Sequence, residues 1–162
     1  MRPFFPSMSN TSRRDLIKAT GALALGAAVP MVSVRSARAT PATMRTAIHQ
    51  AIGDAQVFKG KVTLDIPPLV ENGNTVACSV SVDSPMTQAD HVKAIHIFNE
   101  KNPQPNVLSV KLSPRSGRAR VDTRIRLADT QTVIAIAELS DGSFWSGSAD
   151  VVITLGACLE DG

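Results

Sequence analysis

Cys158 is the residue of this sequence whose setting most clearly predicts chemistry. It lies four residues from the C-terminal end, beyond the last segment with strand character and beside Glu160 and Asp161. A cysteine thiolate is a good nucleophile and a reversible acceptor of sulfur. Because so short a segment is poorly suited to packing into a core, we expect an accessible, reactive thiol at this position.

The second cysteine, Cys78, predicts a structural role instead. It alternates in phase with Val76, Val80 and Val82, which is the pattern of a strand with one buried face. An even cysteine count in an exported protein also permits a disulfide, here between Cys78 and Cys158, provided that their Cα atoms approach closely. We favour a buried Cys78 and a free Cys158, and we keep the bridge as the alternative.

Other arrangements typical of catalysis are missing from the sequence. The three histidines are His49, His91 and His96, and the last two are five residues apart on a predicted strand, so they point to opposite faces. A zinc site needs three or four converging ligands. No phosphate-binding loop or Gly-x-Ser-x-Gly motif occurs either. We therefore predict no catalytic residue, no metal and no cofactor.

One short segment is rich in arginine. It contains Arg115, Arg118, Arg120, Arg124 and Arg126. The last four alternate along a predicted strand and so share one face. The ordinary interpretation is a solvent-exposed face, and an interface with a partly acidic partner is the alternative.

The N-terminal segment has the order of a secretory signal. Arg13 and Arg14 precede a weakly apolar stretch, residues 19–34, and residues 37–39 (Ala-Arg-Ala) form a small-residue cleavage site. The paired arginines indicate the Tat export route and a periplasmic location. A membrane anchor is the alternative, but glycines and a proline interrupt a stretch shorter than the roughly 20 residues that span a bilayer.

The charge of the sequence depends on this signal. The 162 residues carry 17 basic and 14 acidic side chains, a formal charge of +3. Six of the basic residues but one of the acidic residues fall in residues 1–39, which leaves 11 basic and 13 acidic residues and a charge of about −2. This balance favours neither nucleic acid nor, after signal cleavage, a membrane as partner.

Hydrophobic periodicity predicts the fold. Residues 40–52 have apolar residues at three- and four-residue spacing, typical of a helix that ends at Gly53. Seven short segments with strand character follow, separated by turn residues. We predict an all-β, immunoglobulin-like antiparallel sandwich over residues 40–155, with a short N-terminal helix and a flexible C-terminal arm over residues 156–162.

Several segments of this β domain carry a family resemblance. They read DSPMT, VKAIHIF, TRIRLADTQTV and AELSDGSFW. They resemble SoxY, the sulfur-carrier subunit of the periplasmic thiosulfate-oxidising system. The resemblance spans nearly the whole sequence and includes the export signal.

The resemblance implies a carrier and not an enzyme. In the SoxY family an immunoglobulin-like sandwich pairs with a SoxZ subunit, and the cysteine of a swinging C-terminal arm holds sulfur as an S-sulfonate or persulfide chain. The matching position is Cys158. Separate periplasmic sulfur-oxidising enzymes would then do the catalysis. Tat export agrees with this expectation, because the family's carrier subunit takes its signal-less partner across the membrane.

The arm departs from the family's Gly-Gly-Cys-Gly-Gly pattern. It keeps Gly156 but has Ala157, Leu159 and Glu160 at the other flanking positions, and it is similar to a SoxY-related group whose arm reads Ala-Ala-Cys-Ile-Glu. Bulkier side chains widen the arm, and nearby negative charge disfavours the Cys158 thiolate. The alternative function is therefore a SoxY-related binding or assembly module with altered cargo or none. A thiol-redox role is disfavoured, since no C-x-x-C motif is present.

Overall fold

The described chain begins with a helix. The computed structural model describes residues 40–157, so the predicted signal (residues 1–39) and the last five residues (158–162) lie outside it. Helix α1 (Pro41–Ile52) confirms the predicted helix. Thr40 caps it by accepting the N–H of Thr43 at 3.3 Å. Gly53 ends it with a positive φ of 67°, a conformation that favours glycine.

Nine strands follow in the described range. They are β1 (Val57–Lys59), β2 (Val62–Asp65), β3 (Leu69–Asn72), β4 (Val76–Val82), β5 (Val92–Asn99), β6 (Asn106–Lys111), β7 (Arg120–Ile125), β8 (Gln131–Leu139) and β9 (Phe144–Leu155). A 3₁₀ turn (Pro114–Ser116) lies between β6 and β7.

The strands form two sheets that enclose one core. The six-stranded sheet has the order β1-β9-β8-β5-β6, with β3 also paired to β9, and the three-stranded sheet has the order β2-β4-β7. Side chains buried between the sheets include Val80, Ile97, Leu127, Val133 and Val151. This architecture confirms the predicted all-β, immunoglobulin-like sandwich.

Two details correct the predicted strand pattern. The sequence indicated seven segments because β1 and β2 appeared as one run and the prolines before β3 appeared as an interruption. The sandwich was also expected to be antiparallel throughout, whereas β1 and β3 both pair parallel with β9. Strands of three and four residues are too short for an alternating pattern to be recognised.

Helix α1 covers part of the outer face of the six-stranded sheet. Met44 packs with Phe98 of β5 and Ile136 of β8, and all three side chains are buried. β5 is therefore buried on both faces, which explains its nearly continuous apolar sequence. Within residues 40–157 no helix has the length and apolar character needed to cross a membrane.

Candidate functional site

The predicted carrier residue follows directly on the described chain. Cys158 and its neighbours Leu159 and Glu160 lie outside the described residues, whereas Gly156 and Ala157 are described and half-buried. These two residues continue from the end of β9. We call residues 155–157 the arm root, since they determine where the chain leaves the sandwich.

Backbone hydrogen bonds fix the arm root between two loops. The carbonyl of Leu155 accepts the N–H of Gly73 at 2.8 Å, and the N–H of Ala157 donates to the carbonyl of Leu127 at 3.0 Å. The N–H of Leu127 donates to the carbonyl of Gly73 at 2.8 Å, which joins the two loops. The sequence suggested a free arm from Gly156 onward, whereas the structure anchors the chain through Ala157.

Two glycines permit this close approach. A Cβ on Gly156 would overlap the carbonyl oxygen of Ala128 and lie 3.1 Å from its carbonyl carbon. A Cβ on Gly73 would overlap the carbonyl oxygen of Leu127 and lie 3.0 Å from the backbone nitrogen of Ala157. Neither glycine has a positive φ. Glycine is therefore required at each position because a side chain would not fit, and not because of the backbone conformation. In the structure Gly156 thus supplies close contact with the β7–β8 connection.

A polar cluster supports the β7–β8 connection next to the arm root. The side-chain amide of Asn102 donates to the carbonyl of Arg126 at 2.7 Å and accepts the N–H of Ala128 at 3.1 Å. Gln131, which is 4% exposed, donates to the same Asn102 oxygen at 3.1 Å and accepts the N–H of Lys101 at 2.8 Å. Because the amides of the buried Gln131 and the half-buried Asn102 are paired, the cluster fixes the carbonyl groups that the arm root contacts.

The residues that hold the arm root were not predictable from the sequence. The pairs Asn72-Gly73 and Ala128-Asp129 belong to the turn residues that separate the predicted strands, and nothing in their pattern indicates a contact. They are distant in the chain and meet because β4 pairs antiparallel with β7, with Val76 opposite Ile125. The strand register was the missing information, and one sequence does not state it.

Cys78 has the structural role that its strand phase predicted. Its side chain faces the core from β4, and the residue is 2% exposed. Burial raises the pKa of its thiol to about 11, and the negative charge of Asp65 adds to the increase. Cys78 is a free thiol, so the structure gives no support to the disulfide alternative. A buried thiol with this pKa is a poor nucleophile at neutral pH.

The histidines show no convergence toward a metal site. His49 bonds to Asp54 at 2.9 Å, and the Nδ1 atom of His96 lies 2.8 Å from the hydroxyl of Ser109. Burial lowers the pKa of His96, and the nearby Glu138 partly opposes this effect. In the described part of the chain, no three His, Cys, Asp or Glu side chains lie close enough together to hold a metal ion.

Arg120 and Arg124 lie on the exposed face of β7, whereas the other three arginines of the segment lie outside that strand. Arg120 donates to Asp122 from Nε at 2.9 Å and from Nη2 at 2.8 Å, and Ser79 donates to the same carboxylate at 2.6 Å. These hydrogen bonds lower the pKa of Asp122 to about 2. A shallow depression of about 430 Å³ lies beside the pair, lined by Ala77, Asp122, Thr123 and Arg124. A carboxylate already ionised and paired is a poor acid or base, so the depression does not resemble an active site.

Comparison with known proteins identifies one family and one fold. The family model described as sulfur oxidation protein SoxY matches residues 48–158. The solved sulfur carrier protein SoxY from Chlorobium limicola f thiosulfatophilum has a similar fold, with a TM-score of 0.60 at 23% identity. That match covers 70% of this chain and 98% of the other.

The same fold also occurs in a protein with a different name and activity. A superoxide reductase (neelaredoxin) from Ignicoccus hospitalis aligns with a TM-score of 0.54 at 14% identity, covering 60% of this chain and 94% of that one. No curated protein matches the sequence. At these identities the structural matches establish the fold alone, so the assignment to a family depends on the family model.

Proposed function

Since the chain belongs to the family of the sulfur oxidation protein SoxY, we propose that it is a non-catalytic carrier of sulfur intermediates with Cys158 as the attachment point. The observation that carries the proposal is the family match, whose last matched residue is Cys158. The structure supports it by elimination. Of the two cysteines in the sequence, Cys78 is buried and has a raised pKa, so it is unsuited to accept cargo.

The chemistry requires other proteins. Forming an S–S bond between a thiolate and a second anionic sulfur releases two electrons, so an oxidising enzyme must load the carrier and accept those electrons. The carrier supplies one sulfur atom and a defined place of attachment.

We further propose a partner and a location. A SoxZ-like subunit pairs with the sandwich, and the pair is exported to the periplasm by the Tat route before it meets the sulfur-oxidising enzymes. The twin arginines Arg13 and Arg14 and the family resemblance support this proposal. Short edge strands such as β6 offer unpaired backbone groups of the kind that a second β domain can cover.

A specific observation favours a second candidate function. Leu159 and Glu160 stand where the family pattern has glycine, and both add bulk or negative charge beside the thiol. Enzyme tunnels that admit a glycine arm would exclude this bulkier arm. The negative charge of Glu160 would also repel thiosulfate or sulfite. The second candidate is therefore a SoxY-related binding or assembly module with altered or no sulfur cargo.

The intact mass of protein isolated from the native periplasm tests both functions. A carrier is expected to show a mass increment that reductant removes and that maps to the C-terminal peptide containing Cys158. The size of the increment identifies the cargo. Cys158→Ser should fold normally and lose the increment, whereas Cys78→Ala, the matched control, should keep it. An unmodified thiol in every preparation would favour the assembly module.

A further inference from the structure

We propose that Gly73 and Gly156 are positioning residues that anchor the arm root, so that Cys158 is presented one residue beyond a fixed backbone. The inference rests on the proposed function in taking Cys158 as the carrier residue. It is based on the hydrogen bonds and close contacts of residues 73, 127–128 and 155–157.

The two glycines contact consecutive peptide groups of the β7–β8 connection. Gly73 lies against the carbonyl of Leu127, and Gly156 lies against the carbonyl of Ala128. Any Cβ at either position would overlap a backbone oxygen, and backbone has little freedom to move away. Gly156 is the glycine before the cysteine that this arm shares with the family pattern. Close packing therefore explains why this position requires glycine.

Anchoring limits how far the carrier thiol can travel. Consecutive Cα atoms are about 3.8 Å apart, so an arm free from Gly156 would reach roughly 7 Å further than one held through Ala157. A loading enzyme must then accept the thiol close to its own surface. It must also contact the residues around the arm root, among them Lys101 and Asp129, whose exposed side chains form an ion pair at 3.0 Å.

Amide hydrogen exchange measured by NMR on the full mature chain tests the anchor directly. The N–H of Ala157 donates to Leu127, so it should exchange at least ~10-fold more slowly than an amide in an unstructured peptide. Gly156→Ala and Gly73→Ala should each remove that protection. Gly142→Ala is the control: it strains a residue with a φ of 83° in the β8–β9 turn but introduces no contact within 4 Å. Ala157 should stay protected in the control.

A nitroxide label on Cys158 gives a second measurement that a general loss of stability does not imitate. Its electron paramagnetic resonance spectrum should indicate slow motion in the parent protein and faster motion in Gly156→Ala. Should that variant fail to fold, Ala157→Pro removes the N–H donor near the chain end and should also speed the label. Fast motion in the parent protein, or no change in either variant, would overturn the proposal.

These measurements separate the anchor from the carrier function. The label and the exchange rates report on anchoring whether or not Cys158 ever carries sulfur, and the adduct mass reports on carriage whether or not the root is anchored. Rapid exchange at Ala157 in a protein that carries an adduct would overturn the anchor alone. A protected Ala157 in a protein that never carries an adduct would confirm the anchor and overturn the carrier.

Discussion

Burial gives Cys78 a structural role in this chain. The reactive form of cysteine is the thiolate, and Cys78 is held as a thiol by a pKa of about 11. It belongs to a core cluster of apolar side chains, so its sulfur serves as a small apolar group. The raised pKa of Cys78 therefore makes it a poor nucleophile at neutral pH.

The pKa of Cys78 predicts a loss of stability in alkaline solution. The unfolded chain releases this proton from about pH 9, whereas the folded chain keeps it until about pH 11. The folded state thus binds more protons in that window, and the free energy of unfolding should fall as the pH rises through it. Urea denaturation at a series of pH values from 8 to 11 would measure the decrease.

A cysteine substitution isolates this effect. Cys78→Ala should be less stable at pH 8 because it leaves a small cavity, but its free energy of unfolding should decline less steeply from pH 9 to 11. The sequence has no tyrosine, which removes another side chain that commonly titrates there. Equal slopes for the two proteins would show that Cys78 does not cause the pH dependence.

Residue roles were predictable where they depend on local pattern. The burial of Cys78 follows from its alternation with valines, and the exposure of the arginines follows from the opposite phase of their strand. The role of Gly156 was not predictable, because the atom that requires a glycine there belongs to Ala128, in a different loop. A contact between residues distant in sequence leaves no local signal.

At the scale of elements, helix α1 shows the same division between what the sequence predicts and what it does not. The spacing of its apolar residues and its terminal cap predicted where it begins and ends. Its packing partner was not predictable, since Phe98 and Ile136 lie on strands whose outer faces could equally have met a partner protein or solvent. β1 was not separated from β2, and β3 was missed, because both are short and depend on β9 for their pairing.

The helix should contribute measurably to stability through Met44. This side chain is 5% exposed and contacts Phe98 and Ile136, so Met44→Ala should lower the free energy of unfolding by about 2 kcal/mol or more. Arg45→Ala, an exposed neighbour on the same helix, is the control and should change it by less than about 0.5 kcal/mol. Urea denaturation would compare them, and similar values for the two variants would mean that the helix does not pack as described.

For the whole molecule, the sandwich does not determine the function. The same fold occurs in a sulfur carrier and in a superoxide reductase, which have little sequence in common with this chain. Folds are reused, and functions depend on the sites that they position. Here the sandwich anchors the chain through Ala157, the residue before Cys158 in the sequence, so its contribution is to fix the backbone from which the last residues continue.

Export provides the last prediction at this scale. The Tat route carries folded proteins, so the proposed export of this chain with a signal-less partner depends on the twin arginines. Replacing Arg13 and Arg14 by lysine should retain the precursor, and a co-expressed SoxZ-like subunit, in the cytoplasm. Arg2→Lys with Arg35→Lys keeps the same charge and the same number of changes, lies outside the twin-arginine pair and the cleavage site, and should leave export intact. Immunoblots of cell fractions would distinguish the variants, and periplasmic protein from the Arg13, Arg14 variant would contradict the Tat route.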